Sequence, residues 1–227
     1  MHSLLSALQL GDSLFPSGAF TQSNGLETLV ADGEVRDAAG LRALLRAQLR
    51  HRLALAELPA LLAAHAAAAA LDVALVVEID RRLTAVKLAR EEREASRRVG
   101  QRTALEGLRL APGPVLRELV RAVGDGRCQG NGAVALGVTA QAMDVAAPAA
   151  GLLGCYTFAS GLVSAALRLM RIGHGDGQAI LRACQPEMEA AVRLAAGVDW
   201  RELRPFTPHL DVAAARHERG PERLFAS

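Results

Sequence analysis

The stretch VAAPAAGLLGCYTFASGLVSAAL, Val145 to Leu167, decides the fold. It carries no charge and exceeds the roughly 20 apolar residues that suffice to cross a bilayer. Its content points elsewhere. Pro148, Gly151, Gly154, Thr157, Ser160, Gly161 and Ser164 dilute its hydrophobicity, and the uncharged stretch before it, Cys128 to Met143, is short and holds Gln, Asn and several Gly. The segment reads as the buried central helix of a helical protein, with a membrane-associated protein as the alternative.

Composition agrees. The 227 residues suffice for one large domain, and no Pro/Ser-rich linker divides them. Aromatic residues are only 3% of the chain, so the core must be built from Leu, Val and Ala, which suits close-packed helices rather than sheets. The 26 basic and 24 acidic residues leave a net charge of +2, and no basic run with interleaved aromatics occurs, which argues against a nucleic-acid partner. Cys128, Cys155 and Cys184 lie far apart in apolar surroundings, as expected of buried thiols in a reducing compartment. The N-terminus MHSLLSALQL lacks a basic n-region, so a cytoplasmic protein is expected.

Outward from the central segment, helical periodicity continues. Leu4, Leu5 and Leu8 start a helix that Gly11-Asp12-Ser13 breaks. After a loop, a short helix runs through Leu26, Leu29 and Val30, and Asp37 caps the next, whose stripe Leu41, Leu44, Leu45, Leu49 and Leu53 ends near Leu55. Pro59 is expected to begin a separate helix through the alanine run Ala66 to Ala70, and Asp72 to cap another. The charged segment from Thr84 to Leu108 reads as a solvated face. Pro112-Gly113-Pro114 breaks it, and helices follow over Val115–Val123, Gly132–Asp144, Pro148–Arg171, Asp176–Cys184 and Pro186–Ala196. The expected fold is all-α, one bundle of roughly seven to ten helices over residues 1–227. The tail, residues 204–227, holds a short helix over Asp211–Glu218 and ends in Leu224-Phe225, apolar groups that either fold back on the core or dock on a partner.

Little of this carries chemistry. The loop DSLFPSGAFTQSNGLE, Asp12 to Glu27, contains neither GxxxxGK[ST] nor GxSxG. His51 and His65 lie in different helices, and His209, Asp211 and His217 have no recognised ligand spacing. No catalytic residue, metal site or cofactor is expected, which suits a binding scaffold better than an enzyme. The alternative is a small helical hydrolase using Ser23 and a histidine.

Four segments carry a resemblance. The loop Asp12–Glu27 resembles the N-terminal signature of the urease accessory protein F (UreF) family, a Pro-x-Gly-x-Phe or Tyr, a Ser, then Gly-Leu-Glu. AREEREASRRVGQR, Ala89–Arg102, is similar to its Arg-x-Ala-Ser segment, and CYTFASGLVSAALRLMRIGHGDGQ, Cys155–Gln178, to its Tyr-containing helix ending in Arg-Leu and Gly-x-x-x-Gly-Gln. HERGPERLFAS, His217–Ser227, resembles its terminal His-Glu followed by Arg-Leu-Phe-x-Ser. The chain departs from the family pattern at His174, often Gln, and at Thr21 or Gln22, often His or Tyr.

The resemblance implies a non-catalytic, all-helical, dimeric accessory protein. It would bind a UreD-type (also UreH) protein and a UreG-type GTPase that together deliver nickel to apo-urease. By the same resemblance the C-terminal tail contacts the UreD-type partner, through His217, Glu218, Arg223 and Ser227 with Leu224 and Phe225 as anchors. Tyr156 and Arg168 would face the dimer or the GTPase. The loop becomes a rigid bend in which Pro16 fixes φ, Gly18 and Gly25 turn tightly, Ser23 or Asn24 caps the next helix, and Glu27 faces a partner or pore.

Overall fold

A computed structural model describes residues 2–19, 22–218, 224 and 225. All regular structure among them is helical, and together they form the single all-α domain that the periodicity predicts. The caps follow local chemistry. Asp37 accepts from the Gly40 N–H to start α3 (Ala38–Gln48), and Asp72 accepts from the Leu75 N–H to start α5 (Val73–Val86).

The expected boundary near Leu55 is absent. Residues Ala38–Ala69 form one continuous helical run, in which α3 passes through a π-helical stretch, Leu49–Glu57, into α4 (Leu58–Ala69). Pro59 cannot donate a backbone hydrogen bond, and inside an α-helix its ring would press on the preceding turn. The wider π winding absorbs the defect, with Leu58 N–H donating to the Leu53 carbonyl. The Leu55 carbonyl on this stretch accepts from Arg204 N–H at 3.1 Å. The His51 carbonyl likewise accepts from Phe206 N–H at 2.9 Å.

Around this run the remaining helices assemble in layers. α6 (Arg90–Leu110) and α8 (Gly132–Ala142) pack together, α8 also packs on α4, and α7 (Pro114–Gly124) covers α5 and α6. Gly137 is what allows the α4–α8 spacing. A Cβ placed on Gly137 of α8 would lie 2.3 Å from the Leu61 carbonyl oxygen, so the two helices touch backbone to side of backbone. The central segment forms α9 (Ala147–Leu169), which meets α1 (His2–Gly11), α10 (His174–Ala183) and α11 (Gln185–Ala195). The runs Ala38–Ala69 and Ala147–Leu169 are both long and apolar enough to cross a membrane, yet 56% and 50% of their most apolar windows are buried inside the fold.

Two short elements complete the frame that holds the site. α2 (Leu26–Ala31) leans on α9, and α12 (Pro208–His217) lies against α2 and α6. The charged segment is not simply a solvated face. Lys87 and Glu91 are buried, because this end of α6 is covered by α12 and by the N-terminal loop.

Candidate functional site

The loop before α2 is a tight bend, as its punctuation requires. The Asp12 carboxylate accepts from Leu14 N–H at 2.7 Å and its carbonyl from Phe15 N–H at 3.0 Å, which ends α1. Gly18 and Gly25 hold φ of 75° and 84°, the left-handed region where a Cβ is penalised. The expected cap is different. Gly25 itself occupies the N-cap of α2 and no side chain caps it, because the turn is closed by Leu26 N–H donating to the Ser23 carbonyl at 3.1 Å. Ser23 is fully buried, without the exposed hydroxyl that a hydrolytic nucleophile presents to substrate.

Glu27, in the first turn of α2, is engaged by the chain's own tail. One carboxylate oxygen accepts from Leu224 N–H at 2.7 Å; the other accepts from Phe225 N–H at 3.1 Å and pairs with His217 Nε2 at 2.9 Å. Burial alone would push this carboxyl up, but the Leu224 N–H, the His217 ring and the Phe225 N–H together hold it below its ordinary value. The other ring nitrogen of His217 meets Glu91 Oε2 at 2.8 Å. One histidine at the end of α12 thus ties α2 to α6, and the tail hangs on the same carboxylate.

Around this joint the tail is held by further contacts. Arg216 forms a two-pronged pair with Asp32 at 2.5 and 3.1 Å, Glu218 pairs with Arg90 at 2.8 Å, and Thr28 donates to the Ala213 carbonyl at 3.2 Å. The Phe225 ring is 5% exposed and joins the main core cluster, with the Arg168 guanidinium 4.4 Å from its centroid. Leu224 is 56% exposed. Of the two apolar tail residues, then, Phe225 is spent on the chain's own core and Leu224 faces out. Arg223 and Ser227 lie outside the described residues. Tyr156 is exposed in the middle of α9, about 18 Å along the helix from Arg168 at 1.5 Å per residue.

Beneath α12 lies a cavity of about 210 Å³, walled by the N-terminal loop, the π-helical stretch, α6 and α9. Arg52 bonds Glu92 at 2.9 Å and Gln48 at 3.2 Å, and Lys87, the sole lysine of the chain, pairs with Glu57 and lies 3.7 Å from Glu92. Asp211 of α12 lines the same space, its carboxyl pushed up by burial and by the Glu92 charge against the opposing pull of Arg52. The consecutive residues Glu91 and Glu92 therefore divide their work, one to the tail and one to the cavity wall. Among the described residues no three His, Cys, Asp or Glu side chains gather as a metal site. The three cysteines are buried, and burial pushes the Cys155 thiol up to about 12.

A model of the UreF family matches residues 35–185. The chain belongs to the UreF family. Whole-chain relatives agree: it is 34% identical to the urease accessory protein UreF of Bacillus sp. (strain TB-90) and 33% identical to that of Actinobacillus pleuropneumoniae serotype 3 (strain JL03), covering all of each chain in both cases. The UreF of Arthrobacter sp. (strain FB24) is 32% identical over 98% of this chain and 96% of that protein. The UreF-family motifs fall where the geometry is densest. The loop signature supplies Glu27, the charged segment supplies Glu91 and Glu92, the central helix supplies Arg168, and the terminal motif supplies His217 and Phe225.

Sequence reasoning missed the cavity wall. Arg52 and Glu57 carried no signal of their own, and Lys87, Glu91 and Glu92 read as part of a solvated face, because the residues that pair, Arg52 with Glu92, Lys87 with Glu57 and Glu91 with His217, lie 30 to 126 positions apart. Two signals were available: Lys87 stands alone in a chain that otherwise uses Arg, and Gln48 interrupts the apolar stripe one turn before Arg52.

Proposed function

We propose that this UreF-family chain is a non-catalytic scaffold in urease maturation, cytoplasmic and homodimeric, which binds a UreD/UreH-type protein and a UreG-type GTPase so that nickel is inserted into apo-urease. The observation that carries the reading is a set of apolar side chains that the described residues leave exposed on two helices in contact. Leu4, Leu5 and Leu8 on α1, and Leu152 and Tyr156 on α9, a helix packed against α1, are all exposed. Exposed apolar groups gathered on neighbouring elements suit a protein-binding surface better than a catalytic cleft.

In this reading the C-terminal tail, residues 204–227, is the contact for the UreD-type partner and docks in its folded-back form. Phe225 pins the tail to its own core and Leu224 is the outward anchor. Nucleotide-driven change in the GTPase is coupled through the scaffold to nickel release. Co-purification with a UreD-type and a UreG-type protein tests this. The full-length chain retains both, and Leu224→Asp loses the UreD-type protein while keeping the GTPase-facing surface intact. Retention of neither partner by the full-length chain overturns the reading.

A further inference from the structure

We propose that the hollow between Glu27 and Arg168 is a peptide-recognition site in its own right, with the tail's Leu224-Phe225 as its resident, displaceable ligand. Recognition has two parts. Glu27 reads two successive backbone N–H groups, at 2.7 and 3.1 Å, which any pair of non-proline residues offers. The aromatic side chain supplies the selectivity, since its ring is buried under the Arg168 guanidinium at 4.4 Å. Backbone bonds for affinity and one pocket for specificity are how peptide grooves work. The residue preceding the ring is unread, because Leu224 is 56% exposed.

The receptor side of the joint is braced by contacts that do not involve residues 224 and 225. His217 holds the Glu27 carboxylate at 2.9 Å and is itself held by Glu91 at 2.8 Å, while Arg216 and Asp32 clamp α12 to the end of α2. The ligand class is therefore a short segment of the form X-Phe, where X is any residue but proline. Seven positions separate Leu224 from His217, so the chain's own copy is present at a high effective concentration, of millimolar order, and a free segment competes against it. The site is independent of which protein meets the outer face of the tail.

The test uses a labelled peptide of residues 222–227, with sequence ERLFAS. Fluorescence anisotropy is expected to show saturable binding to full-length Phe225→Ala protein, whose own ligand is blunted, and binding at least roughly ten-fold weaker to the unaltered chain. Adding Glu27→Ala, or replacing the peptide's Phe by Ala, removes the binding. Equal binding to both proteins, or binding indifferent to Glu27, overturns the proposal. Should Phe225→Ala fail to fold by circular dichroism, hydrogen exchange on the unaltered protein decides. Excess peptide accelerates exchange at the Leu224 and Phe225 amides, the Phe-to-Ala peptide does not, and absence of acceleration counts against the site.

Discussion

Asp80 and Glu27 perform the same chemical act in two places. Asp80, fully buried on α5, gathers the N–H groups of Gln129, Gly130 and Asn131 at 2.8, 3.2 and 2.6 Å and the Asn131 side-chain amide at 3.1 Å. Glu27 gathers the N–H groups of Leu224 and Phe225 and the ring of His217 at the rim, its side chain 16% exposed. Water can replace the partners of the second carboxylate and not of the first. Identical bonds thus make a permanent joint in the interior, tying α5 to the start of α8, and an openable one beneath the tail.

Substitution at Asp80 is the severest test of that contrast. Asp80→Ala strands the Gly130 and Asn131 donors in the interior, with that of Gln129 at its edge, and is expected to cost roughly 3–5 kcal/mol, read as a lower urea midpoint at unchanged slope. Glu27→Ala is expected to cost only about 1–2 kcal/mol globally, while the Leu224 and Phe225 amides exchange far faster. If the two substitutions cost the same, burial is not what separates the joints.

Acid sharpens the contrast next. Glu27 titrates below the ordinary carboxylate value in the folded chain, so its contribution is complete above the unfolded value and is lost as pH falls through the folded one. Tail amides are therefore expected to lose protection on acidification before helix content falls, observable by hydrogen exchange alongside circular dichroism. The smallest effect belongs to Leu224→Ala, within about 0.5 kcal/mol by thermal melting because the side chain is exposed. Its other readout is co-purification with a UreD-type protein, the proposed partner, which is expected to be lost.

Legibility in the sequence followed the distance over which each interaction acts. Asp37 and Asp72 were readable as caps because their acceptor work lies three residues along the chain. The central helix was readable from its small residues, and Phe225 from being apolar in a polar tail. Which way Phe225 turns was not, since its carboxylate partner lies 198 positions away. Asp80 sat unnoticed in a helix, its partners 49 to 51 positions ahead. Pro59 misled for a different reason: it is a local signal for a helix start, and only the π winding around it reveals that the helix never stopped.

That π winding also has a long-range counterpart. The His51 and Leu55 carbonyls on it accept the Phe206 and Arg204 N–H groups, which arrive from 155 and 149 positions downstream. The stretch works as an address: two acceptors on one helix tell a distant segment where to land, immediately before α12 begins.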